Sequence, residues 1–294
     1  MDGRSESAAR DELIASAAPP YPSRVSTARP TTATDRAPAT VTRRLPVYAA
    51  GAIDVPFVIS GMLESITRDT VWAEHSHPTH ELVWTTRGAS SVSVGAKRWT
   101  IAPAVGLWIP AGVLHSGLTP AGTLHYAAQF SIATVPAIAD VPVAVDVDPL
   151  LSMLLERLCS DDLTASSRAV TEAMVLDVLA PSPHEIALSL PTSPLLQPIV
   201  DRLEADPSDT TTLTTWAARL GVSSRTLARA FATETGLGFT RWVSTLRVQR
   251  AIPLLCRGER IEDVAWCVGF HSQSAFGSAF RRVTGMSPGQ YRSQ

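Results

Sequence analysis

The sequence predicts an α+β protein of more than one domain, in which an antiparallel β-barrel precedes an all-helical domain with two helix-turn-helix units. Three observations predict this class. Short β-rich segments punctuated by Gly and Pro fill residues 45–147, leucines at helical spacing begin near residue 150, and the last hundred residues contain a degenerate repeat. A length of 294 residues agrees with two domains, or with one domain and attachments.

The barrel is predicted from five short segments with the β-branched and aromatic residues that strands favour. They are residues 57–59, 81–84, 91–94, 98–101 and 106–109. Trp72, Trp84 and Trp108 lie in or near these segments. They are candidates for lining a ligand pocket in the barrel, although large aromatic residues on strands belong more often to a packed core.

Three further segments surround the barrel. Residues 1–44 are rich in Ala, Ser, Thr, Pro and Arg without apolar periodicity, which predicts a disordered tail. Residues 148–180 predict two connecting helices, whose apolar faces would suit either a homodimer or packing against the barrel. Residues 181–194 contain four prolines and predict a linker, after which residues 195–294 form the helical domain.

Composition predicts a cytoplasmic protein without a membrane partner. No apolar run reaches the ~18 residues that a membrane span needs, and the first residues lack the charged and apolar regions of a secretion signal. Cys159, Cys256 and Cys267 are odd in number and widely spaced, so they predict neither a zinc pair nor a disulfide framework.

The charge distribution indicates a polyanionic partner for the C-terminal part. From residue 210 to the end there are 11 arginines and four acidic residues, a net charge of +7, whereas the rest of the chain carries −9. A basic region of this kind is typical of contact with nucleic acid.

The helical domain contains two similar copies of a helix, a glycine turn, a serine cap and a second helix, at about residues 213–234 and 261–284. The aligned pairs are Leu213 with Ile261, Ala217 with Ala265, Gly221 with Gly269 and Ser223 with Ser272. The small Ala allows two helices to cross closely, the Gly permits an unusual backbone angle and the Ser caps the second helix. This is the helix-turn-helix layout.

Four stretches of the helical domain, GVSSRTLARAF, RWVSTLRVQRA, IEDVAWCVGF and FRRVTGMSPGQYR, resemble the DNA-binding domain of AraC/XylS-type transcription regulators. The resemblance covers about a third of the chain. It implies seven helices, with a rigid central helix at about residues 240–256 that holds both units on one face of double-stranded promoter DNA. Pro253 would remove a backbone hydrogen bond near the end of this helix.

The same resemblance places the DNA-contacting positions on the second helix of each unit. They are Ser224, Arg225, Ala228 and Arg229 in the first unit, and Gln273, Ser274, Gly277, Ser278, Arg281 and Arg282 in the second. Arg225 can bind guanine through two hydrogen bonds, with a phosphate contact or a solvated charge as the alternative. Arg281 and Arg282, at the end of the second helix, suit phosphate contact or solvent.

The stretch EHSHPTHE at residues 74–81 holds three of the seven histidines of the chain. If residues 75–81 are extended, His75, His77 and Glu81 point to one face and His80 to the other. Two imidazoles and a carboxylate suit a divalent first-row metal, and His115 is a fourth candidate ligand on a later strand.

These residues also resemble the two cupin motifs. The first motif is met by His75, His77, Glu81 and Gly88, and the second by Pro110, Gly112 and His115. Asp69, Ala104-Val105 and Thr119 depart from the motifs at turns rather than at ligands. The resemblance implies a cupin barrel, a frequent sensor domain of AraC-type regulators, with one Fe, Mn, Ni or Zn ion as its possible cofactor. A metal-free pocket for a small molecule and a purely structural cluster stay open as alternatives.

Together these features predict a regulator whose cupin domain senses a metal ion or small molecule and thereby modulates promoter binding. RNA polymerase is a further expected partner if the protein is an activator. Two alternatives compete with this hypothesis. One is a cupin metalloenzyme, a dioxygenase or isomerase. The attached DNA-binding units argue against it, because they would contribute nothing to such catalysis. The other is a regulator that ignores ligands and is controlled by its abundance.

Overall fold

The computed structural model describes residues 40–160 and 162–292 of the chain, so most of the tail predicted at residues 1–44 lies outside the described residues. The described chain contains eleven strands, ten of which lie before residue 147. Their bounds are β1 Val41–Arg43, β2 Ile59–Ser65, β3 Thr70–His75, β4 His80–Arg87, β5 Ser90–Val94, β6 Lys97–Ile101, β7 Val105–Ile109, β8 His115–Thr119, β9 Leu124–Phe130, β10 Val143–Asp146 and β11 Ala187–Ser189.

The strands form two sheets that face each other. One has six strands in the order β1-β3-β8-β5-β6-β11, and the other has five in the order β10-β7-β4-β9-β2. Val83 and Ala127 of the five-stranded sheet pack against Val92 and Trp99 of the six-stranded sheet, which closes a core between them. All pairings are antiparallel except that of β1 with β3. The predicted cupin-type β domain is confirmed.

Two short strands correct the sequence-based prediction. Residues 41–43, assigned to the disordered tail, pair in parallel with β3. Residues 187–189, assigned to the proline-rich linker, pair antiparallel with β6 and so cover an edge of the six-stranded sheet. Composition did not indicate either strand, because each forms only by satisfying the free backbone groups of a strand that is already in the sheet.

The remaining described elements are nine helices. Their bounds are α1 Pro149–Leu158, α2 Ala165–Val178, α3 Gln197–Ala205, α4 Leu213–Arg219, α5 Ser224–Thr235, α6 Phe239–Cys256, α7 Ile261–Cys267, α8 Gln273–Thr284 and α9 Pro288–Arg292. The leucine face of α1 packs on the barrel, where Leu151 and Leu155 join the cluster that contains Trp84 and Trp108. No helix in the described part of the chain is long and apolar enough to cross a membrane.

The central helix α6 is shared by the cores of both helix-turn-helix units. Its 18 residues span about 27 Å at ~1.5 Å per residue, and it continues through Pro253 to its last turn. Trp242 and Leu246 in its first half pack with α3, α4 and α5, whereas Ile252 and Leu255 in its second half pack with α7, α8 and α9. The helix therefore fixes the position of one unit relative to the other.

The barrel also packs directly on α6. Ala89, Ala102 and Ile186 of the barrel side belong to the same buried cluster as Val248 and Ile252. Gln249 donates its side-chain amide to the carbonyl of Ile186 at 3.3 Å, and the indole N–H of Trp242 donates to the carbonyl of Ser189 at 2.8 Å. The two domains thus share a packed interface instead of being joined by a free linker.

Candidate metal centre and nucleic-acid interface

Three histidines and one glutamate meet at one end of the barrel. His75 is the last residue of β3, His115 is the first of β8, and the two are paired in register with ring centroids 4.2 Å apart. His77 lies in the loop between β3 and β4, and Glu81 is the second residue of β4. All four side chains are buried. The four ligands predicted from the sequence are therefore brought together.

Residues 75–81 do not form one extended segment, the condition under which the sequence placed His75, His77 and Glu81 on one face. Strand β3 ends at His75, β4 begins at His80, and the chain turns between them. Pro78 lies in this turn, where its missing backbone N–H removes no ladder hydrogen bond. His77 therefore reaches the site from a loop, whereas His75 and Glu81 reach it from two different strands.

The potential ligand atoms lie close together. One ring nitrogen from each of His75, His77 and His115 falls within 4.8 Å of the others. Glu81 Oε2 lies 3.4 Å from His77 Nε2 and 3.3 Å from His115 Nε2. His77 Nε2 and Glu81 Oε2 are fully buried and form no hydrogen bond with the described residues. Buried polar atoms are costly to leave unpaired, so a bound ion is a physically sensible partner for them.

Backbone carbonyls orient two of the imidazoles. His75 Nδ1 lies 2.7 Å from the carbonyl oxygen of Ala73, and His115 Nδ1 lies 2.9 Å from that of Val113. A carbonyl oxygen can only accept, so each Nδ1 carries the proton and each Nε2 keeps its lone pair. This arrangement, in which one ring nitrogen is held by a backbone carbonyl, is usual for histidines that bind metals.

A second layer of hydrogen bonds orients the carboxylate. Gln129 of β9 donates its side-chain amide to Glu81 Oε1 at 2.9 Å. The hydroxyl of Thr79 in turn donates to the side-chain oxygen of Gln129, which settles the orientation of that amide. Sequence reasoning missed Gln129, because nothing near it in the chain marks it as a neighbour of Glu81.

The electrostatics keep the site in a form that can bind a cation. Burial lowers the pKa of His75 to about 4, with a further contribution from His115, and burial also lowers the pKa of His77. Burial alone would raise the pKa of Glu81, but the adjacent His77 and His115 outweigh it and hold that pKa well below its usual value. Burial alone would lower the pKa of His115, but its hydrogen bond to Glu81 and the charge of that carboxylate outweigh burial and raise it overall. Neutral imidazoles and an ionised carboxylate are the forms that ligate divalent first-row metals, so the residues fit such an ion when His115 gives up its proton to bind it.

The three tryptophans predicted as candidates for a ligand pocket lie in two different places. Trp72 lines a cavity of about 30 Å³ beside His75, Glu81 and His115, and its indole N–H donates to Thr119 Oγ1 at 3.0 Å. Trp84 and Trp108 do not line it: both are fully buried in the core under α1, which corrects their assignment to a ligand pocket. A hydrophobic core offers more contact area to a large ring than a small polar cavity does.

Two further histidines of the barrel, His80 and His125, lie outside the group of four proposed ligands. The Nδ1 of His80 accepts a hydrogen bond from the backbone N–H of Ala111 at 3.0 Å. His125 of β9 was not singled out by the sequence, yet it lines the small cavity and lies face to face with Trp72 at 5.8 Å. Its Nδ1 is buried without a hydrogen bond to any described residue, which leaves it free for a bound molecule.

The two helix-turn-helix units repeat the same local chemistry. The hydroxyls of Ser223 and Ser272 accept the backbone N–H of Thr226 and Ala275 at 3.0 and 3.2 Å, so each caps a second helix. The turn glycines of the repeat both have a positive φ, +68° at Gly221 and +88° at Gly269. Helices α5 and α8 are therefore the equivalent second helices of the two units.

Most of the predicted DNA-contacting residues are exposed on these two helices. The exposed ones are Arg225 and Arg229 on α5, and Gln273, Ser274, Ser278, Arg281 and Arg282 on α8. Ser224, Ala228 and Gly277 are partly buried. The apolar side of each helix faces its own core through Leu227 and Phe231 in α5 and through Phe276 and Phe280 in α8. Each helix thus presents a polar surface suited to a DNA groove.

Arg247 of α6 links the two units and was not identified from the sequence. Its guanidinium donates to the carbonyls of Pro207 at 2.8 Å and Asp209 at 2.9 Å, which precede α4. It also donates to the carbonyl of Gly269 at 2.8 Å, in the turn of the second unit. Three backbone acceptors on one side chain indicate a structural role rather than a contact with DNA.

Comparison with known proteins agrees with both halves of this description. The family described as an AraC-like ligand binding domain matches residues 62–174, and the family described as a helix-turn-helix domain matches residues 216–294. The chain belongs to the AraC family of transcriptional regulators. It is a DNA-binding regulator with a ligand-binding domain, and the family is one of regulators rather than enzymes.

Individual known proteins are similar to this chain over different lengths. The transcriptional regulator NimR of Escherichia coli is 29% identical over 74% of this chain and 81% of its own length. The regulator RipA of Corynebacterium diphtheriae is 40% identical, but over 32% of this chain and 28% of its own length. Among solved structures, ToxT of Vibrio cholerae aligns over 80% of this chain and 96% of its own, with 12% identity and a TM-score of 0.34.

Proposed function

We propose that this AraC-family protein is a sequence-specific DNA-binding regulator whose barrel binds one divalent first-row metal ion and transmits its occupancy to the helical domain. The observation that carries the proposal is the buried group of His75, His77, His115 and Glu81, in which two polar atoms lack any hydrogen-bond partner among the described residues. Iron, manganese, nickel and zinc are the candidate ions, since all accept mixed imidazole and carboxylate ligands.

The proposed ion would act through the strands that hold its ligands. When bound, it supplies positive charge that neutralises Glu81 and favours one mutual position of β3, β4, β8 and the loop of His77. Strand β8 pairs with β5, which pairs with β6, and Gln249 of α6 donates to the carbonyl of Arg98 in β6 at 3.4 Å. A change of position in β8 therefore has a short, packed route to the central helix.

Such a route regulates DNA binding only if the two states of the protein differ in affinity for DNA. In the proposed complex, Arg225 of α5 reads guanine through two hydrogen bonds, whereas Arg281 and Arg282 at the end of α8 contact phosphates. The partner is double-stranded promoter DNA in the cytoplasm. A homodimer through the apolar residues that stay exposed on α1 and α2, Met153, Val170 and Met174, belongs to the same proposal. So does contact with RNA polymerase if the protein is an activator.

Elemental analysis of the purified protein tests the metal proposal. We expect close to one ion per chain in the native protein and loss of that ion in the double variant His75→Ala/His77→Ala. The matched control is His184→Ala/His271→Ala, which removes two exposed histidines far from the ligands in sequence. Retention of the ion by the first variant, or its loss from the control, would contradict the assignment of the ligands.

A metal-free pocket for a small organic molecule is the second candidate function of the same barrel. The observation that favours it is His125, whose Nδ1 is buried without a hydrogen bond to the described chain beside the small cavity. If reconstitution with iron, manganese, nickel and zinc gives no stoichiometric binding, this candidate replaces the metal proposal. Thermal-shift screening of small polar molecules would then identify the class of ligand.

A further inference from the structure

The second helix-turn-helix unit carries an exposed tryptophan on its surface. Trp266, near the end of α7, is 55% exposed, whereas the other six tryptophans of the chain are at most 7% exposed. Its indole N–H donates no hydrogen bond to the described residues. Tryptophan is enriched where proteins meet a partner, because it combines a large apolar ring with one donor. An exposed ring whose donor is unused therefore indicates a contact surface.

A histidine faces this ring from the turn between α7 and α8. The exposed imidazole of His271 lies edge to face with Trp266, at 6.3 Å between ring centroids, and forms no hydrogen bond with the described residues. The backbone N–H groups of Val222 in the first unit and Phe270 in the second each donate to the alanine five residues earlier, so these two residues are equivalent. His271 is therefore an extra residue in the turn of the second unit.

The two units differ in the fixed charge that they can offer to DNA. Residues 213–232 of the first unit contain three arginines and no acidic residue, whereas residues 261–280 of the second contain two acidic residues and neither arginine nor lysine. The acidic residues, Glu262 and Asp263, lie in the first turn of α7, where Arg260 pairs with both. Phosphates repel this end of α7, so a backbone contact near the turn has to use uncharged or titratable donors.

The position of the pair suits such a contact. A helix-turn-helix unit meets DNA with the N-terminal end of its second helix, while its first helix crosses the sugar-phosphate backbone. The N-terminal residues of α8, from Ser272 to Ala275, are exposed, and His271 directly precedes them. Trp266 belongs to the first helix of the unit. The two rings therefore lie where the end of α8 that would enter a groove adjoins the helix that would cross the backbone.

We propose that Trp266 and His271 together contact the sugar-phosphate backbone of one DNA strand, beside the groove that α8 enters. The imidazole N–H of His271 donates to a phosphate oxygen, and the Trp266 ring packs on the adjoining deoxyribose with its indole N–H as a second donor. The contact carries no base information. It positions α8, in which Gly277 has no side chain for reading bases, on the duplex. This inference rests on the proposed docking of α8 on DNA and is independent of the metal ion.

Acrylamide quenching of the tryptophan fluorescence of the full chain tests the contact directly, because six of the seven tryptophans are buried. The free protein should show one readily quenched tryptophan, and that component should be missing from Trp266→Phe. A saturating amount of a duplex selected from a random pool should protect the native component from acrylamide, a neutral quencher that DNA does not repel. Trp266 fluorescence that is quenched equally in the free protein and in the saturated complex would overturn the proposal.

Charge substitutions at position 271 separate a backbone contact from a purely structural role. His271→Lys should tighten binding to every duplex by about threefold and steepen its dependence on the logarithm of salt concentration by about 0.9, whereas His271→Glu should weaken binding by about tenfold. His184→Lys and His184→Glu, at an exposed histidine outside the helical domain, are the matched controls for the overall change of charge. A difference between the two variants at 271 no larger than that at 184 would overturn the proposal.

The variant Arg282→Ala, measured on the same duplexes, shows whether α8 meets DNA. Weaker binding by Arg282→Ala together with equal binding by His271→Lys and His271→Glu would overturn the backbone contact alone and leave the docking of α8 in place. Unchanged binding by all three variants would overturn that docking as well. Both substituted side chains are exposed, so the variants should keep the native fold, which circular dichroism checks.

Discussion

Gln129 donates a 2.9 Å hydrogen bond to Oε1 of Glu81, and the other carboxylate oxygen, Oε2, faces the imidazoles of His77 and His115. The relationship joins β9 to β4 and fixes which oxygen is available to an ion. Hydrogen bonds of this kind to metal ligands commonly change metal affinity 10–100-fold when they are removed.

The variant Gln129→Ala should therefore weaken metal binding by about 10–100-fold while leaving the fold intact. Competition with a fluorescent chelator measures the affinity. Gln197→Ala, an exposed residue on α3, is the matched control and should bind the ion normally. An affinity of Gln129→Ala within twofold of the native value would show that the hydrogen bond does not orient the ligand.

Replacing Arg225 of α5 and replacing Arg282 of α8 should affect DNA binding in different ways. Arg225→Ala should weaken DNA binding by about 1–3 kcal/mol and relax specificity at one base pair, because it removes a base contact. Arg282→Ala should weaken binding to all sequences alike, because it removes a phosphate contact. Competition binding against single-base variants of a selected duplex measures both, and a uniform loss for both variants would refute the assignment.

Arg247→Leu should lower the free energy of unfolding by about 3 kcal/mol, since it leaves three backbone carbonyls without their charged donor. Urea denaturation of the full chain measures the change. The exposed Arg241→Leu on the same helix is the control and should change stability by less than about 0.5 kcal/mol. Equal effects of the two variants would mean that Arg247 does not link the two units.

The turn glycines Gly221 and Gly269 look equivalent in the sequence repeat, but they should differ in how well they tolerate substitution by alanine. A Cβ at Gly269 would lie 2.6 Å from Ser208 Cα, whereas a Cβ at Gly221 would meet nothing within 4 Å. Gly221→Ala should cost about 1 kcal/mol for its positive φ alone, and Gly269→Ala distinctly more because the backbone at Ser208 must also move. Thermal melts of the two variants compare them directly, and similar melting temperatures would contradict the predicted clash.

The sequence predicted those features that are encoded locally. The helix-turn-helix units follow from the spacing of Gly221 and Gly269 and from the serine caps, because a turn and a cap depend on a few adjacent residues. The site residues His75, His77, Glu81 and His115 were also identified, through their motifs. Their arrangement on three strands and a loop was not, since alternation along a strand cannot reveal where the strand ends.

Features that depend on distant parts of the chain could not be predicted. Strand β11 and the contacts of Gln249 exist only because the barrel packs on α6, and nothing local to residues 187–189 indicates that. The sequence could not distinguish the core residues Trp84 and Trp108 from the cavity residue Trp72. All three lie in similar β-rich sequence, and only the packing of α1 buries two of them. Gln129 and His125 carry no motif at all.

The most direct test of the account is the affinity of the full chain for DNA with the barrel loaded and stripped of metal. The DNA duplexes are selected from a random pool, once with the metal-loaded protein and once with the stripped protein, and both forms are measured on each duplex. We expect loading to change the dissociation constant at least fivefold, a typical allosteric coupling, and His75→Ala/His77→Ala to show no response to the ion. Equal dissociation constants for native protein that demonstrably carries the ion and for the stripped form would contradict the account.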